Sequence, residues 1–85
     1  MFTQTDNIKT KLTSFGLSEE EVLIYLELLK KSPQSALELS RTLSLGRTKV
    51  YRLLDLLNEK GLVNILIDEY GSKFEANEPS SLEYL

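Results

Sequence analysis

Up to Gly61 the apolar residues recur at three- and four-residue spacing; beyond it they alternate with polar ones. The first pattern belongs to amphipathic helices and the second to a half-buried strand. Ile8, Leu12 and Phe15 share one face of a predicted N-terminal helix that ends at Gly16. Ser18 with Glu21 then spells a capping box, S-x-x-E, and Glu19 and Glu20 add favourable negative charge to the first turn of a second helix. Val22, Tyr25, Leu26 and Leu29 form its stripe, widened by Leu23, Ile24 and Leu28. A helix apolar around most of its circumference is buried on more than one side, so this one belongs at the centre, covered by its neighbours. It runs to about Lys31, and Pro33 closes the segment. Ser35 with Glu38 repeats the capping-box spelling and starts a short helix with Leu39 and Leu43 inward.

A tight turn leads to a longer helix opening at Arg47. Stepping about 100° per residue from Val50 puts Val50, Leu53, Leu54 and Leu57 on the inward face, with Thr48, Arg52, Asp55 and Glu59 opposite. Lys49 and Tyr51 flank that outer face, and Leu56 lies at the side, suited to a dimer contact or to packing beneath the strands. After Gly61, Val63, Ile65 and Ile67 point one way and Asn64, Leu66 and Asp68 the other. Asp68 to Gly71 supplies turn residues, and Ser72 to Ala76 reads as the returning strand with Phe74 and Ala76 inward. A lone hairpin is marginal in water, so its apolar face is expected to lie on the helical core. Glu78 to Ser81 spells a new helix start, and the chain ends a turn or two later. That ending fits a piece trimmed from a longer protein better than a short terminal helix.

The predicted architecture is therefore mainly α with a small β-hairpin, a winged helix-turn-helix in one domain spanning 1–85. An N-terminal helix occupies 1–16 and a three-helix core 17–61, with the helix-turn-helix at 35–61. The wing is 62–77, and a C-terminal helix starts at 79–85. Eighty-five residues leave no room for a second core.

Charge changes what this architecture can do. The chain carries 10 basic and 13 acidic residues, a net of −3, which counts mildly against a nucleic-acid partner. Distribution outweighs the sum. Between Leu39 and Leu54 the charged residues are Arg41, Arg47, Lys49 and Arg52, with no acid among them. Helix-dipole physics prefers the opposite order, acids first and bases last. A solvated surface has no reason for that inversion, whereas a helix that docks its N-terminal end against phosphates does. Arg52 is the candidate for reading a base edge, because a guanidinium can bind guanine O6 and N7 together. Arg47, Thr48 and Tyr51 are assigned to phosphate, and Lys49 suits either role. Ser35, at the start of the preceding helix, and Tyr70, Ser72 and Lys73 on the wing complete the candidate double-stranded DNA contacts.

Other chemistries have few residues to work with. There is no cysteine or histidine, hence no disulfide, no thiolate or imidazole metal site and no usual general base. The triplet Glu19 to Glu21 is explained as a helix start, not a catalytic or metal site. No enzyme activity, cofactor or metal is expected. The N-terminus lacks a signal-peptide layout, and the longest apolar run, Val22 to Leu26, falls far short of the roughly 20 residues a membrane span needs. The expected location is the cytoplasm, associated with the nucleoid.

From Leu17 to Pro79 the chain closely resembles the N-terminal winged helix-turn-helix domain of the TrmB family of transcriptional regulators. Leu17-Ser18-Glu19, Val22, Tyr25-Leu26 and Leu28-Leu29 carry the likeness in the central helix. Arg47-Thr48-Lys49-Val50-Tyr51 matches the family's recognition helix, Leu57 with Glu59 to Val63 leads into the wing, and Phe74, Ala76 and Pro79 fit its end. The resemblance implies a DNA-binding transcription factor, as a rule a homodimer; larger members add a sugar-sensing domain after a helical linker. No effector ligand is expected within these residues. Two departures stand out. Ser44 occupies a turn position where glycine is common because φ tends to be positive, and Gly46 stands at the N-cap of the recognition helix. Asp68 and Glu69 put negative charge at the wing tip where many winged domains carry Arg or Lys, so the wing is expected to contribute modestly. The competing class is a winged-helix module that binds protein instead of DNA, favoured by the acidic balance and opposed by the basic start of the helix at Arg47.

Overall fold

Residues 16–77 are described by the structure, a computed structural model. The expected N-terminal helix and the segment 79–85 lie outside them, and so do the dimer contacts that those two segments would supply. Three helices and a hairpin follow in order: α1 (Glu19–Lys30), α2 (Ala36–Leu43), α3 (Arg47–Glu59), β1 (Val63–Asp68) and β2 (Gly71–Ala76). This is a winged helix-turn-helix.

Each helix begins and ends where local chemistry dictates. Ser18 Oγ accepts from Glu21 N while Glu21 Oε1 accepts from Ser18 N, and Ser35 and Glu38 reproduce the same reciprocal box at the start of α2. Helix α3 starts on Gly46, which has no side chain with which to cap. Its far end closes in a Schellman motif: Leu62 N donates to Leu57 O and Gly61 N to Asn58 O, both at 3.0 Å, with Gly61 at φ +79°. Between α2 and α3 the chain turns on Ser44, whose φ of 56° and ψ of 42° are left-handed, and Leu45 N donates back to Ser40 O. A serine thus holds the conformation that glycine adopts at least cost.

The core is one cluster to which every element contributes. Val22, Ile24, Tyr25 and Leu28 of α1 meet Ala36 and Leu39 of α2, the stripe Val50, Leu53, Leu54 and Leu57 of α3, and Leu62, Val63 and Phe74 of the wing. Leu43 packs against it half-buried. Helix α1 is central as expected, although its outermost apolar residue, Leu23, is exposed. The Tyr25 hydroxyl donates to Asn77 O at 2.7 Å, tying the centre of α1 to the end of the wing.

The hairpin pairs Val63 with Ala76, Ile65 with Phe74, Ile67 with Ser72 and Asp68 with Gly71. Here the structure corrects the expectation that the apolar face of the hairpin rests on the core. Only its base does so, through Val63, Phe74 and the half-buried Ala76; Ile67 is 79% exposed and Tyr70 87%. Leu66, Ile67 and Tyr70 are all exposed, so the outer half of the hairpin lies away from the helices. The base is secured by a contact that periodicity did not reveal. Gln34, buried just ahead of α2, exchanges two backbone hydrogen bonds with Phe74, at 3.0 and 2.8 Å, so that one residue acts as a third strand on β2.

Candidate nucleic-acid interface

The face opposite the buried stripe of α3 carries Arg47, Thr48, Tyr51 and Arg52, all exposed. Because Val50, Leu53, Leu54 and Leu57 anchor the helix from behind, these four are held on a rigid rod and point away from the core. Arg47 and Arg52 make no ion pair among the described residues. Lys49 differs: its Nζ lies 3.0 Å from Glu20 Oε2 in the first turn of α1, with the two side chains 42% and 38% exposed. In sequence, Glu20 is accounted for by the helix start alone. Its partner is 29 positions away, and only the packing of α1 against α3 brings them together.

The same packing holds the far end of α3. Lys60, which caps that helix, donates from Nζ to Glu21 Oε2 at 2.9 Å. Burial pushes the Glu21 carboxyl up, but the Ser18 backbone N–H, the Lys60 ammonium and the Ser18 hydroxyl outweigh it and leave the pKa below its ordinary value of 4.5. Consecutive acids of α1 therefore hold α3 near both ends, Glu20 at Lys49 and Glu21 at Lys60.

The wing contacts divide. In the hairpin register Ser72 lies across from Ile67, on the face of Phe74, while Lys73 lies across from Leu66, on the other face. Ser72 and Lys73 are thus not brought together, and Tyr70 sits in the connecting turn, its N–H donating to Asp68 Oδ1. The Gln34–Phe74 bridge instead places Ser35 alongside Lys73 in the same antiparallel register. Ser35 Oγ is engaged as an N-cap acceptor for Glu38 N, leaving its hydroxyl hydrogen to donate. The Ser35 backbone N–H holds the Glu38 carboxyl below its ordinary range, with Lys31 and Lys73 adding to the effect. The candidates therefore form two groups, Arg47, Thr48, Tyr51 and Arg52 on α3, and Ser35 with Lys73 at the base of the wing.

The model of the sugar-specific transcriptional regulator TrmB family matches residues 12–80. The chain belongs to the TrmB family. A curated relative, the HTH-type sugar sensing transcriptional regulator TrmBL1 of Pyrococcus furiosus, is 38% identical over 61 residues, covering 72% of this chain and 18% of that protein. The TrmB-family chain thus spans about a fifth of the length of the relative it matches. Among solved structures, the ST1889 protein of Sulfolobus tokodaii superposes with a TM-score of 0.77 at 19% identity, covering 89% of this chain and 78% of that one. Wild-type MarR from E. coli in its apo form gives 0.74 at 18% identity, covering 93% and 62%. At such identities the likeness is one of fold. The family is one of transcriptional regulators. Among the described residues no helix is long and apolar enough to cross a membrane, and no group of His, Cys, Asp or Glu is placed to hold a metal.

Proposed function

We propose that this TrmB-family chain is the sequence-specific DNA-binding domain of a transcription regulator and that α3 reads the major groove. The observation that carries the proposal is the exposed basic half of α3, with Arg47 and Arg52 unpaired among the described residues and no acid from Leu39 to Leu54. Arg52, one turn into the helix on its outward face, takes the base-reading role; Arg47, Thr48 and Tyr51 grip phosphate from the same face. Ser35 and Lys73 make a second phosphate contact beside α2, and Ser72 and Tyr70 are marginal contacts of the hairpin. Two copies acting as a homodimer would set their α3 helices in successive major grooves about 34–36 Å apart, on an inverted repeat.

The test is a fluorescence-anisotropy titration of duplex DNA at two salt concentrations. Phosphate neutralisation releases counterions, so affinity is expected to fall steeply as salt rises, and charge reversal at Arg47 and Arg52 is expected to abolish it. Affinity indifferent to salt, or surviving the reversal, overturns the proposal in favour of a protein-binding winged helix.

A further inference from the structure

The Glu20–Lys49 pair joins the flank of α3 to α1 at the edge of the basic face, where Lys49 is one of only three cations on the first two turns. We propose that Glu20 is a positioning residue that withholds Lys49 from DNA phosphate and so sets how many phosphates α3 neutralises. This rests on the DNA-binding reading above. Arg47 and Arg52 make no ion pair among the described residues and reach a phosphate or base without breaking one. Lys49 has to exchange a carboxylate at 3.0 Å for a phosphate, and a phosphate that approaches it also approaches the Glu20 charge. In water the exchange replaces one anion by another with little gain, and the repulsion remains. Lys49 therefore stays with α1 when DNA docks, and α3 engages DNA through its two arginines.

The geometry also says why such a residue is useful. Helix α3 has no acid in its first two turns, so nothing on α3 itself limits how tightly it grips DNA of any sequence. A counter-charge supplied by α1 lowers that sequence-independent grip and leaves Arg52 free to discriminate.

The experiment is a salt titration of the 85-residue chain with a fluorescein-labelled duplex of mixed sequence, comparing the chain with Glu20→Gln, Lys49→Met and the double variant. Each phosphate neutralised contributes about 0.9 to the slope of log affinity against log salt. Glu20→Gln is expected to steepen the slope by about that amount, so that its gain in affinity shrinks about 3.5-fold between 50 and 200 mM salt. Lys49→Met alone bares the Glu20 carboxylate and is expected to weaken binding, whereas the double variant, with neither charge, is expected to return to the slope of the unaltered chain. Both side chains are more than a third exposed, so the variants are expected to fold, with far-UV circular dichroism as the check. A double variant with a slope shallower than that of the unaltered chain means that Lys49 already counts as a phosphate contact and overturns the proposal. An unchanged slope for Glu20→Gln, or a steepened slope that persists in the double variant, overturns it as well. Loss of salt-dependent binding in the unaltered chain overturns the reading on which it rests.

Discussion

Replacing Lys60 with Met isolates the contact that fixes the far end of α3. The Glu21 side chain is 5% exposed and Lys60 31%, and their charged atoms are 2.9 Å apart. An exposed ion pair contributes about 0.2–1 kcal/mol, whereas breaking a fully buried one costs about 3–5 kcal/mol because the surviving charge stays desolvated. Here the surviving group is the buried one, but the ammonium leaves a partly open path for water. Lys60→Met is therefore expected to cost about 2 kcal/mol near neutral pH. That corresponds to a fall in Tm of roughly 8–16 °C for a domain this size.

The pH dependence supplies the refutation. In the unaltered chain the Glu21 pKa lies below 4.5, so its stabilisation is present above the unfolded value and is lost as pH falls through the folded one. Without Lys60 burial faces only the Ser18 hydrogen bonds, and the Glu21 pKa is expected to rise. Protonation then relieves the penalty, and the gap between variant and parent narrows as the pH is lowered toward about 4, just below the ordinary glutamate pKa. Urea unfolding at neutral and acid pH measures both gaps. A penalty that is absent at neutral pH, or equal at both, would falsify the account of Glu21 as a buried charge held by Lys60.

Three further outcomes follow from the geometry. Ser44→Gly removes a left-handed serine and is expected to stabilise the chain by about 0.5–1 kcal/mol, after the greater unfolded-state entropy of glycine is counted; a lower melting temperature would contradict this. Phe74→Ala removes a buried ring from the base of the wing and is expected to cost about 3–5 kcal/mol, whereas Ile67→Ser, at the projecting end, should stay within about 0.5 kcal/mol of the parent. Thermal melts that rank the two the other way would place the hairpin on the core after all. Arg52→Ala is expected to lose roughly 1–3 kcal/mol of discrimination between operator sequences, while Lys73→Ala weakens all DNA alike. Equal loss on every sequence for both would remove Arg52 from base reading.

What the sequence determined by itself is whatever is encoded within a turn or two of helix or across a short hairpin. The capping boxes at Ser18 and Ser35 are three-residue patterns, and both are present. The stripe of α3 and its end at Gly61 follow from the helical period and one glycine. The left-handed turn at Ser44 was legible as a departure from the usual glycine. The exposed basic half of α3 was legible because the buried stripe fixes the phase of the helix, and with it the direction of Arg47 and Arg52.

What only the tertiary structure decided is which distant residues meet. Glu20 and Glu21 read as two members of one acidic helix start, but they hold Lys49 and Lys60, 29 and 39 positions away. Gln34 carries no periodic signal, since a single residue cannot display one, and it becomes a strand only because β2 lies beside it. The exposure of Ile67 depends on where the helices end beneath the hairpin, which alternation along a strand does not encode. Local pattern specifies which face a side chain takes, because backbone geometry has a fixed period. What lies opposite that face is set by how the elements pack.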